Sequence, residues 1–177
     1  MKNLAVLPVT VLLGNALAVN MAGFQPGRGV ELSFKPFLKA VYTAIEDPKA
    51  TSSFTDFFVP ETGRLAALDF DARGAEAILA IKQFILPPDG NKHFNYRPNV
   101  TSVDSNTPTQ KIYDVQGILE TSFDGGNCSV RYYSSRLTVL KASNGKVRNM
   151  PHSGSLVEYN EYVLNPNEPP TDIPCQA

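Results

Sequence analysis

The chain has 177 residues, with 16 Lys and Arg against 17 Asp and Glu and a formal net charge of −1. Near-neutral balance without a basic cluster argues against nucleic acid or an anionic membrane surface as partner. The length suits one domain with one core.

Lys2, the apolar run Leu4 to Leu13 and the small-x-small triplet Ala16-Leu17-Ala18 have the pattern of an export signal, so residues 1–18 are expected to be removed and the protein secreted. No later stretch is long and apolar enough for a membrane helix. An oxidising compartment favours a bridge between Cys128 and Cys175, tying the Pro-rich tail (165–177) to the sheet. Asn99-Val100-Thr101 and Asn127-Cys128-Ser129 are glycosylation sequons, which fit the same route.

Residues 19–31, with Pro26, Gly27 and Gly29, read as a flexible segment. Ser33 and Pro36 open a helix whose face is Phe34, Phe37, Leu38, Val41, Tyr42 and Ile45, and Asp47-Pro48 ends it. Phe54 to Val59 reads as a short strand. Arg64 to Phe70 reads as its hairpin partner or as a short helix. Asp71 is the expected cap of a second helix over residues 72–86, largely buried.

Beyond Pro87-Pro88-Asp89-Gly90 every segment reads as extended. His93 to Val103 comes first, then a strand with Tyr113, Val115, Leu119 and Phe123 on one face and Asp114, Gln116 and Glu120 on the other. Gly117 falls on the apolar face, where it can mark a bend. The run through Val130, Tyr132, Tyr133, Leu137 and Val139 ends at Asn144-Gly145, the signature of a type I′ hairpin turn. A last strand places Val157, Tyr159, Glu161 and Val163 on one face.

This order of helix, short element, helix and long antiparallel meander resembles the nuclear transport factor two-like superfamily, which includes the SnoaL-like polyketide cyclases. The resemblance is carried by the helix of Phe34–Ile45, the Phe54–Val59 segment feeding the Ala72–Leu86 helix, and the Asn144-Gly145-Lys146 turn. It covers residues 32–164, taken as one α+β domain: a curved antiparallel sheet wrapped around the N-terminal helices, cone-like, with a pocket. The chain departs from it in carrying an export signal and in having no Trp. An eight-stranded ligand barrel is the all-β alternative, and the two helices argue against it.

The superfamily's enzymes do acid–base work with Asp, His and Tyr in an apolar pocket, where desolvation shifts pKa values. By that resemblance the candidate catalytic residues are His152, His93 and Asp114. His152 comes first because Pro151 and Gly154 flank it, and it would act as general base or as donor to a carbonyl. Tyr132, Tyr159, Phe37 and Tyr42 are candidate ligand-binding walls. A lone histidine is more often a surface residue, Asp114 has a solvated reading, and tyrosines of this kind more often serve core packing.

No phosphate loop, nucleophile elbow, C-x-x-C or paired metal-ligating histidines occur, so no metal and no cofactor are expected. The expected partner is a small apolar or aromatic, polyketide-like metabolite, with a homodimer left open. Two functions remain. One is a secreted pocket protein, or a cofactor-free isomerase, cyclase or dehydratase. The alternative is a secreted interaction protein, an effector or surface antigen, that uses the fold as scaffold.

Overall fold

The computed structural model describes residues 19–163 and 174–175. The expected export signal at 1–18 and most of the Pro-rich tail lie outside the described residues. The elements are β1 (Gln25–Pro26), α1 (Phe34–Glu46), α2 (Ser52–Thr55), β2 (Arg64–Ala67), β3 (Phe70–Arg73), α3 (Ala75–Ile85), β4 (Lys92–Asn106), β5 (Gln110–Phe123), β6 (Cys128–Leu140) and β7 (Leu156–Val163).

They form one seven-stranded sheet in the order β1-β4-β5-β6-β7-β2-β3. β4 to β7 are an antiparallel meander, whereas β2 joins β7 in parallel and returns as a hairpin through β3.

The sheet curls because its register slips. Bulges lie between Pro98 and Thr101 and between Val103 and Ser105 in the β4–β5 ladder, and at Thr138/Val139 in the β6–β7 ladder. An extra residue on one strand bends it and increases the local twist. Gly117 stands opposite Pro98 at the first bend. A Cβ there would lie 2.5 Å from the Arg97 carbonyl oxygen and 2.9 Å from Tyr133 Cε1, so the bend needs glycine.

The concave face wraps α1, whose Phe34, Phe37, Leu38, Val41 and Tyr42 are fully buried. Phe34 stacks on Tyr113 with ring centroids 3.8 Å apart, and Tyr42 stacks on Tyr96 at 4.5 Å. Burying each such side chain contributes about 1.5–3 kcal/mol, which is why a helix this aromatic holds only against a large sheet.

Four local readings are corrected. Phe54 to Val59 is not a strand: α2 and the turn after it bury Phe54, Phe57 and Phe58, spaced three and four apart, which is helical spacing. Asp71 does not cap α3. It lies in β3, where both its carboxylate oxygens accept from Arg64 at 2.9 and 2.7 Å, and α3 starts after Gly74.

Residues 19–31 are not a loose leader, because Val19, Met21 and Phe24 are buried and β1 pairs with Val100 and Thr101 of β4. Among the described residues Asn144 does not take positive φ; Gly145 alone in that turn does. The turn therefore closes with Gly145 N–H donating to Ala142 and Ala142 N–H to Lys146, a type I turn followed by a left-handed glycine rather than type I′. Val147 keeps only a bridge to Lys141, and the strand resumes at Leu156.

Cys128, at the head of β6, stands at disulfide distance from Cys175, with Cα atoms 6.5 Å apart and 47 residues of separation. Closing a loop of that length in the unfolded chain contributes about 4 kcal/mol in the chain-entropy model. A Cys128→Ser/Cys175→Ser double variant should lose most of that in urea unfolding. An unchanged midpoint would contradict it.

Candidate functional site

The open end of the curl leaves a cavity of about 250 Å³. Its wall is mostly apolar, with Ile45, Phe54, Leu65, Ile85, Leu86, Phe94, Leu119, Phe123 and Val163. Into it project Tyr96, Tyr159 and Glu161, together with Lys82, Lys92 and Arg131.

Strand alternation explains who faces in. On β7, Tyr159, Glu161 and Val163 share the concave face, while Asn160 and Tyr162 are exposed on the other. Glu161 is an acid on an otherwise apolar face, and it is buried at 8% exposure. Tyr96 is three strands away on β4, yet its hydroxyl donates to both carboxyl oxygens of Glu161 at 2.9 and 3.0 Å. Only a strongly curled sheet brings those two together.

The Tyr159 hydroxyl also donates to Glu161 Oε2. Ser135 Oγ donates to the same oxygen at 3.2 Å and lies 3.0 Å from Tyr159 Oη. Behind this set Tyr42 and Tyr133 meet edge to face at 6.0 Å, with hydroxyls buried and no aligned partner.

Burial dominates the electrostatics. Desolvation pushes the Glu161 carboxyl above its ordinary 4.5, and the hydroxyl donors of Tyr159, Tyr96 and Ser135 offset that only in part. Burial likewise pushes Tyr96 and Tyr159 well above the ordinary tyrosine range, with the Glu161 charge acting in the same direction. Lys82 is pushed down by desolvation, opposed by Asp47.

Glu46, the last residue of α1, accepts the Tyr96 backbone N–H at 2.6 Å, and burial pushes its carboxyl up to about 8. A buried acid surrounded by phenol hydroxyls can give or take a proton at an apolar ligand and can support donors to an oxygen that gains charge.

The residues expected to carry chemistry lie elsewhere. His152 is exposed at the start of the β7 arm, with φ +56° and its ring 4.4 Å from Phe57, at the opposite end of β7 from the mouth. His93 faces outward, since its neighbours Lys92 and Phe94 face in, and its Nε2 meets Asp124 Oδ1 at 2.8 Å. Asp114 also lies on the outer face, accepting from Ser134 Oγ at 2.7 Å. None of the three lines the cavity.

Of the expected ligand walls, Tyr159 lines it. Tyr42 stands behind Tyr96, and Phe37 is core, packed against Phe34 and Phe57. Tyr132 alternates outward and borders a shallow groove with Asn20, Gln25 and Asn99. Both sequon residues, Asn99 and Asn127, are exposed. Among the described residues no cluster of His, Cys, Asp and Glu could hold a metal.

No family model and no curated protein matches the chain by sequence. Solved structures do. A candidate scytalone dehydratase from Novosphingobium aromaticivorans is 13% identical, with a TM-score of 0.56 over 75% of this chain and 83% of that one. A ketosteroid isomerase-like protein from Erwinia carotovora atroseptica is 11% identical, with a TM-score of 0.54 over 76% of this chain and 95% of that one. An uncharacterized protein with a cystatin-like fold from Caulobacter vibrioides is 13% identical, at 0.53 over 76% and 89%.

The chain has the SnoaL-like, nuclear transport factor two-like cone fold. This cone keeps a cavity at its open end, as described. Sequence reasoning placed Glu161 on the face of Tyr159 but assigned it no role. The available signal was a lone acid on an apolar alternation.

Proposed function

We propose that the protein is a cofactor-independent acid–base catalyst acting on a small aromatic or apolar carbonyl compound. The observation that carries this reading is Glu161, buried on the cavity wall and held by three hydroxyls. A raised pKa makes the ionised carboxylate a stronger base, poised nearer neutrality.

In that form Glu161 takes a proton from the carbon beside the carbonyl. Once neutral it releases its hydroxyl donors, and Tyr159 and Tyr96 turn theirs to the enolate oxygen. Once its carboxyl proton has swapped with solvent, Glu161 reprotonates the same carbon to complete an exchange; in a conjugated dienolate, delivery to the γ-carbon completes an isomerisation. The apolar wall excludes water and so strengthens each of these interactions. The neighbours named for ketosteroid isomerase and scytalone dehydratase support a reaction of this class in such a cone.

The test uses 2-tetralone as probe in deuterated buffer. Proton NMR should show its α-protons exchanging faster with the protein than in buffer alone. An unaccelerated exchange would remove the catalytic reading.

A further inference from the structure

The acid–base reading leaves three cations of the cavity wall unused. Arg131, Lys92 and Lys82 all line it, and among the described residues Glu161 is the one carboxylate there. The lysines donate to backbone: Lys82 Nζ to the Asp47 carbonyl at 2.5 Å, and Lys92 Nζ to the Ile85 carbonyl at 3.0 Å, while each ammonium also lies over a ring, Phe54 and Phe94 respectively. Arg131 has no hydrogen bond and no ion pair among the described residues, and its Nε is closed to solvent without an acceptor. A dry guanidinium N–H is unfavourable until something accepts from it, and its forked donors match a planar carboxylate.

The sheet register fixes where such a group would sit. Arg131 pairs with Leu119, which pairs with Tyr96, so Arg131 stands in the row of Tyr96 across the concave floor. Ser135, which pairs with Glu161, lies four residues deeper along β6, roughly 13 Å at a rise of about 3.3 Å per residue. Allowing for side-chain reach, that separation suits a ligand of one or two rings, with one end at Arg131 and the other at Glu161.

We propose that the cavity takes a small aromatic carboxylate, its anionic group on Arg131 and its ring against Leu119, the cross-strand partner of Arg131. The inference rests on the acid–base reading only for which end of the ligand lies deep.

The experiment compares 2-naphthoate with methyl 2-naphthoate at pH 7, by calorimetry, on the full chain and on Arg131→Gln. The free acid should bind the wild-type protein at least about tenfold tighter than the ester, although the ester is the more apolar. In Arg131→Gln the acid should lose about that factor while the ester changes by less than about twofold. Equal or tighter binding of the ester by the wild type, or a preference for the acid surviving in Arg131→Gln, would overturn the carboxylate while leaving the pocket standing. Binding of neither would overturn both. The acid–ester comparison on the wild type needs no variant, so a folding defect cannot obscure it.

Discussion

Glu161→Gln should reduce exchange of the 2-tetralone α-protons by at least about a hundredfold, because a positioned acid–base group typically contributes 10²–10⁴. Stability should hold, since glutamine keeps the volume and its amide oxygen, set where Oε2 stands, still accepts from the Tyr96 and Tyr159 hydroxyls. Glu161→Ala would be the poorer experiment. It would remove the shared acceptor of three buried hydroxyls, of which only Ser135 and Tyr159 can still pair with each other, at about 1–3 kcal/mol for each group left unpaired, and confuse lost chemistry with lost folding. Exchange that persists in Glu161→Gln at the wild-type rate would move the chemistry off this residue.

Stability should fall as pH rises from about 5 to 8, and Glu46→Gln should remove much of that slope. The folded-state pKa of Glu46 is raised from 4.5 to about 8 by burial, against the opposing hydrogen bond from Tyr96 N–H. Between those values the folded chain holds a proton that the unfolded chain has lost, so stability declines with pH through this window.

Glu161, also raised by burial, acts in the same direction. Glu31 is different. Burial would raise it, but hydrogen bonds from Lys111 and Tyr113 outweigh that and lower it, so its contribution is lost only at acid pH. For Glu46 alone the expected loss by pH 8 is on the order of 2–3 kcal/mol, less than a full conversion because the site relaxes and admits water. Glutamine keeps an acceptor for Tyr96 N–H without titrating. Urea midpoints at pH 5, 6.5 and 8 should converge for Glu46→Gln and diverge for the wild type. A wild-type midpoint that rises with pH would contradict the assignment.

What the sequence made legible follows the range of the forces involved. The α1 stripe from Phe34 to Ile45, the alternation of β5 and that of β7 from Tyr159 to Val163 are local periodicities and appear with the faces expected. Leu156, expected opposite Tyr159, is instead fully buried against Val139, because the bulge at Thr138/Val139 shifts the register. Phe54 to Val59 failed because a short aromatic run satisfies a strand and one helical turn equally well, and packing decided it. Residues 19–31 failed because Pro26 and Gly27 look like punctuation, whereas Gly27 N–H donates to Thr101 at 2.7 Å and fixes the segment to the edge of β4.

The site was harder still. Histidines drew attention for their intrinsic pKa, but one reverse in alternation sends His93 outward, and β7 carries His152 to its far end. Glu161 becomes conspicuous only once Tyr96, 65 positions earlier, arrives at its carboxyl. Such a meeting is set by curvature, which single-strand patterns do not contain.

Burial on the cavity wall raises the pKa of the Glu161 carboxyl, and the acid–base reading depends on it. The direct measurement is the ¹³Cδ chemical shift of Glu161, assigned by its loss in Glu161→Gln and followed from pH 3 to 9. The structure predicts a titration displaced above the ordinary glutamate value of 4.5. A midpoint at or below 4.5 would mean that the three hydroxyls overcome burial, and the acid–base account of this pocket would be contradicted.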